Sequence, residues 1–143
     1  MSELNRFLKQ NKKVKENAKY PATKSLTDEK GNPLEWEIKP LTSKETNRIT
    51  DECTIQEQVP GKPNMVRNRL DSTKLLVKMM VASIVYPNLN DKDLQDSYGV
   101  MTPDELVQEM IDNPGEFNEF GKFINEFNGF NEGINEKVEK AKN

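Results

Sequence analysis

A lone thiol, a glycine–lysine pair, a row of aspartates and two glutamates on one strand are the groups here that could carry chemistry. Cys53 is the sole cysteine and the chain has no histidine, so the commonest general base and neutral metal ligand are both missing. A thiol attacks as its thiolate and needs an activating neighbour. Cys53, set in a helical stretch, reads instead as a small core residue. Gly61-Lys62-Pro63 lacks the upstream glycine of a phosphate loop, and proline stands where Ser or Thr would hold magnesium. Asp91, Asp93 and Asp96 have a calcium-loop spacing, but the loop glycine is absent and Thr102 replaces the bidentate glutamate. They suit the first turn of a helix, where negative charge is favoured. Glu35 and Glu37 have no partner in a cleft and read as solvated. The expectation is a protein that is not an enzyme, with no catalytic, cofactor or metal site, whose work is to bind another polypeptide.

One residue class is in excess for a plain core. Phe117, Phe120, Phe123, Phe127 and Phe130 recur at helical spacing. Such stripes commonly pack on a core. Five aromatics cannot share one narrow stripe, however, because Phe123 lies about 60° from Phe120 on a helix of 3.6 residues per turn. Part of this series is therefore a candidate partner-binding surface, with Phe123 as the residue expected to stand off the Phe120–Ile124–Phe127 line.

Composition bounds what can position these residues. Leu, Ile, Val and Phe make up 33 of 143 residues and the mean hydropathy is −0.86, so one domain with a modest core is expected. The stretch from Leu75 to Val85 is interrupted by Lys78 and Ser83 and is too short for a membrane span. Met1–Asn5 shows no secretory pattern, and one cysteine fits a reducing compartment, so a cytoplasmic location is expected. The net charge of −3 hides an asymmetry. Residues 1–24 hold seven Lys/Arg against two acids, and residues 104–143 hold ten acids against four lysines. An acidic chain is a poor match for nucleic acid.

The elements follow from pattern. Leu4, Phe7 and Leu8 suggest a brief helix opening a basic arm over 1–19. A β-hairpin over about 22–40 has arms Lys24–Thr27 and Leu34–Pro40 around the turn formers Asp28 to Pro33. Leu34, Trp36 and Ile38 share its apolar face. Thr42 and Glu45 form a capping box for a helix to about Cys53. Residues 58–64 read as a loop, and Met65–Leu70 is left open. Asp71 or Ser72 caps a helix over about 72–85, apolar nearly all round, which belongs in the middle of a fold. Short helices follow from Asp91, Thr102 and Asn113, and Asn128-Gly129-Phe130 reads as a left-handed stop. The fold class is α+β, predominantly helical, with several short helices around the central apolar helix. A single domain spans 1–130, and 131–143 is a charged tail.

Three blocks carry a family resemblance. Leu34-Glu35-Trp36-Glu37-Ile38-Lys39-Pro40-Leu41-Thr42-Ser43-Lys44-Glu45, the run from Tyr86 to Met101, and Asn113-Pro114-Gly115-Glu116-Phe117 through Asn128-Gly129-Phe130 resemble, in order and spacing, segments of the XkdN-like phage tail assembly chaperones. That family occurs in contractile-tailed phages and PBSX-like prophages of Gram-positive bacteria. Phe117 stands where the family often has tyrosine, and Phe127 interrupts the usual wording near the end. The resemblance implies a chaperone that escorts the tape-measure protein during tail morphogenesis and is absent from the mature virion. Tail-tube protein is a second candidate partner, and such chaperones are often made in two lengths by frameshifting. Homo-oligomerisation stays open. A structural tail component, or a small prophage regulator binding protein or nucleic acid, are the alternatives.

Overall fold

In this computed structural model, which describes residues 3–130, each of five α-helices opens on a side chain that accepts the backbone N–H three residues on. The caps are Thr42 for α1 (Ser43–Glu52), Asp71 for α2 (Ser72–Ser83) and Asp91 for α3 (Lys92–Ser97). Thr102 and Asn113 do the same for α4 (Pro103–Met110) and α5 (Pro114–Phe127), each with proline in the first turn. Such a cap stabilises a helix by about 1 kcal/mol. At Thr42 the exchange is reciprocal, since Glu45 also accepts from the Thr42 N–H. Asp91, one of the aspartates with a calcium-like spacing, takes the Leu94 N–H at 2.9 Å.

Two small sheets complete the fold. The first has the order β1-β2-β5, all antiparallel, with β1 at Ala18–Tyr20, β2 at Trp36–Ile38 and β5 at Ile84–Tyr86. Tyr20 pairs with Trp36 and Ala18 with Ile38, so these four side chains share one face. That face meets α5: the Phe120 ring lies 5.5 Å from Tyr20 and 6.2 Å, edge-on, from Trp36. Helix α2 touches α1, α4 and α5 and runs directly into β5. Lys78, midway along it, meets Asp104 of α4 at 2.7 Å, and that bond holds the ammonium above its ordinary pKa.

The second sheet is a ribbon of β3 (Thr54–Val59) and β4 (Lys62–Leu70), joined by Pro60 and Gly61, the latter at φ 76°. It occupies the stretch after the helix to about Cys53, where sequence left 54–57 unassigned, 58–64 as a loop and Met65–Leu70 undecided. Neither strand buries a residue, so no apolar alternation marks it in the sequence.

Other boundaries also move. The hairpin over about 22–40 closes at its tip through a single bridge, Thr27 to Pro33, with Asp28 accepting from Lys30 and Asn32. Its first arm is not Lys24–Thr27 but β1, because Thr23 and Lys24 leave the strand line to bond Glu116 of α5. Leu34, expected with Trp36 and Ile38 on the buried face, precedes the paired strand and is exposed. The helix expected to reach residue 85 ends at Ser83; β-branched Ile84 and Val85 take the extended form, which Tyr86, directly before Pro87, also favours. The N-terminal arm makes two 3-10 turns, Glu3–Phe7 and Lys9–Asn11. The charged tail read over 131–143 lies outside the described residues.

Trp36 is 2% exposed. Trp36→Ala should lower stability by about 3–5 kcal/mol, read by denaturant titration, and the native indole should fluoresce at short wavelength. A red-shifted native spectrum contradicts this packing.

Candidate partner-binding surface

Helix α5 distributes its aromatics over three directions. Phe120 and Ile124 point inward and are fully buried. Phe123 stacks on Tyr20 at 4.2 Å and on Phe127 at 5.6 Å, with rings nearly parallel. Lys15 of the basic arm lies 4.2 Å over the Phe127 ring and also donates to the Phe127 carbonyl, so the arm covers this side. Phe117 is half-buried and Phe130 is 53% exposed; both face a hollow on the opposite flank.

That division corrects two expectations. Phe123 does not stand free, because Tyr20 reaches it from β1. Phe120 cannot be a contact surface in this conformation, being enclosed between the sheet and the helices. The exposed member is Phe130. Gly129, at φ 80°, reverses the chain after α5 so that the Phe130 N–H reaches back to the Asn125 carbonyl at 2.8 Å.

The hollow has two adjoining parts that share Asn118. One is bounded by Gln108, Ile111, Asp112, Pro114 and Phe117. The other, of about 470 Å³, is bounded by Leu76, Gly121, Lys122, Asn125, Glu126 and Phe130. They meet at Asn118 as a shallow groove along α5, one part against Leu76 of α2 and the other against Gln108 and Ile111 at the end of α4, lined by apolar and polar side chains. Gly121 sets its depth, since a Cβ there would sit 2.9 Å from a Leu76 methyl.

Both ends of α5 are tied to the sheet side. Glu116 accepts the Thr23 hydroxyl at 2.8 Å and the Lys24 N–H at 2.7 Å. The Lys24 backbone bond, then the Thr23 bond, holds its pKa below the ordinary glutamate value. Asn128 accepts the Leu41 N–H at 2.7 Å and donates to the Ile124 carbonyl. Neither tie was read from sequence, because each joins residues about ninety positions apart.

Cys53 is buried at the end of α1, and burial pushes its thiol pKa up, away from the reactive thiolate. Among the described residues no group of three or more His, Cys, Asp or Glu is placed to hold a metal ion, and no helix is long and apolar enough to cross a membrane.

Residues 4–142 match the family described as phage XkdN-like tail assembly chaperone protein. This chain belongs to that family. It is 29% identical over 128 residues to the phage-like element PBSX protein XkdN of Bacillus subtilis, covering 90% of this chain and 85% of the relative. Over the same coverage it is 27% identical to the uncharacterized protein YqbN of that organism. The crystal structure of YqbN superposes with a TM-score of 0.73 at 23% identity, covering 91% of this chain and 98% of that one, so the fold is shared.

Two measurements check this surface. Phe120→Ala should cost about 3–5 kcal/mol, whereas Phe130→Ala should change stability by less than about 1 kcal/mol; equal losses in thermal melts contradict the assignment of directions. Glu116 has a lowered folded pKa, so its contribution is present above the unfolded glutamate value and fades as pH falls through the folded one. Melting temperature should therefore drop on acidification below the ordinary glutamate range, and Glu116→Gln should flatten that drop. An unchanged acid limb in Glu116→Gln would show that other carboxylates carry it.

Proposed function

We propose that this chain is a non-enzymatic chaperone that binds the tape-measure protein in the host cytoplasm during tail assembly and is absent from the finished virion. Tail-tube protein is a second partner in this reading. The observation that carries it is the shallow groove along α5, bounded by Leu76, Phe117, Gly121 and Phe130. A tape-measure protein is long and helical and exposes apolar stripes until the tube encloses it. Laying such a helix in a groove is a recurrent mode of recognition, with anchors spaced at helical intervals.

Energetics favour a reversible grip. Phe130 and the half-buried Phe117 offer limited apolar area, while Asn118 and Asn125 stay hydrated beside them. Association has to offset lost translational and rotational freedom of at least about 4 kcal/mol, so a groove this shallow holds its partner with modest affinity. That suits an escort displaced when the tube polymerises. Phe123 and Phe127 act at one remove, by fixing α5 against Tyr20 and Lys15, and Phe120 anchors the helix from beneath.

Co-expression with the neighbouring tail genes, followed by pull-down and mass spectrometry, tests the proposal. Tape-measure protein should be retained, and Phe130→Ala, with an unchanged melting temperature, should weaken retention several-fold. Purified tails should lack the chain. Retention of tape-measure protein by Phe130→Ala at the parental level removes the groove from the reading. A stoichiometric band in finished tails makes the chain a structural component.

A further inference from the structure

The basic arm is the part of the chain that the α5 groove leaves unused. Residues 1–24 hold seven Lys/Arg against two acids in a chain of net charge −3. Like charges gathered on a short segment repel one another, so their convergence needs a cause. Two 3-10 turns wind the arm, with the N–H groups of Leu8, Asn11 and Lys12 bonded to the carbonyls of Asn5, Leu8 and Lys9. Lys15 then pins it to the end of α5, through both the ring and the carbonyl of Phe127.

This path encloses a hollow of about 640 Å³ between the arm, the segment leading into α1 and the end of α5. Leu41 and Phe127, both half-buried, belong to its apolar lining, and Lys9, Lys12, Lys13 and Lys15 supply its charge. No carboxylate lines it. The acids nearest in sequence to its walls are committed elsewhere: Glu45 bonds Thr42 and Lys39, and Glu37 meets Lys19. Among the described residues Lys9, Lys12 and Lys13 form no ion pair. An acidic chain thus holds one apolar hollow ringed by cations.

We propose that this hollow binds an acidic peptide segment of another protein. A leucine-like side chain sits against Leu41 and Phe127, and the carboxylates flanking it meet Lys9, Lys12 and Lys13. Charge selects this occupant, because a neutral apolar peptide would crowd three ammonium groups and give them no partner. Residues 131–143 hold three acids and three lysines, so the remainder of this chain carries no net complement. Single-stranded nucleic acid is bound largely by stacking its bases on open aromatic faces. Here one face of Phe127 is taken by Lys15 and the ring also stacks on Phe123. Exposed ion pairs are individually weak and screened by salt, so the apolar anchor supplies affinity while the lysines choose the sequence. The hollow lies on the flank of α5 away from Phe130, and the proposal stands whichever protein fills the groove there.

Fluorescence anisotropy of the full chain tests it, with a labelled synthetic peptide of glutamates around a central leucine as the probe. The titration is run at about 0.05 M and 0.5 M salt, where screening differs strongly. Binding should appear at low salt and weaken at high salt. Lys12→Glu with Lys13→Glu should weaken it by about tenfold or more at an unchanged melting temperature, since both side chains are exposed. A peptide with alanine in place of the leucine should bind several-fold more weakly, and one with glutamine in place of the glutamates should not bind. No binding at either salt concentration overturns the proposal, as does binding that the double lysine variant leaves intact. Equal binding of the leucine-free peptide reduces the hollow to unspecific charge attraction and overturns it too. Displacement of the peptide by an equal concentration of oligothymidylate makes the arm a nucleic-acid contact instead.

Discussion

Phe120 must be reached from two layers at once, and most of the fold follows from that requirement. Its ring contacts Tyr20 and Trp36 on the sheet, while the helix carrying it lies on α2 through Gly121. A chain with few strong core formers cannot build separate cores for sheet and helices. One buried aromatic shared between them lets β1, β2, α2 and α5 exclude water around a common centre. The polar ties at the two ends of α5, Glu116 to Thr23 and Lys24, and Asn128 to Leu41, then hold the helix in the register that places Phe120.

The same geometry determines what is left outside. Because α5 turns Phe120 and Ile124 inward, Phe123 and Phe127 fall toward Tyr20 and the basic arm, and Phe117 faces the opposite flank. The chain reversal at Gly129 returns Phe130 to that flank, beside Leu76. The groove is thus a by-product of close helix packing: a glycine where α5 crosses α2 brings the backbones together and leaves a trough along their outer seam. A surface made this way is held in shape by the packing beneath it.

Two kinds of exposed apolar surface therefore coexist on one small molecule. The groove is supported by the core beneath it. The ribbon is held by its own ladder and by two arginines on one glutamate, and it projects cations and aliphatic side chains away from the body.

Much of this was legible from short-range pattern. All five helix starts are local events, a cap taking an N–H three residues on, so Thr42, Asp71, Asp91, Thr102 and Asn113 announce them without tertiary help. The turn at Asp28–Asn32 and the stop at Gly129 are local in the same sense, and the ordered blocks around Trp36, Tyr86–Met101 and Asn113–Phe130 were enough to point to the family. The ribbon was not legible, because strands that bury neither face carry no alternation to read. Nor was the division of the five phenylalanines: spacing shows that they cannot share one stripe, but which flank is covered depends on Tyr20 and Lys15, about a hundred residues away in the chain. Local hydrogen bonding is decided by neighbours in sequence. Exposure is decided by whatever the rest of the chain brings alongside.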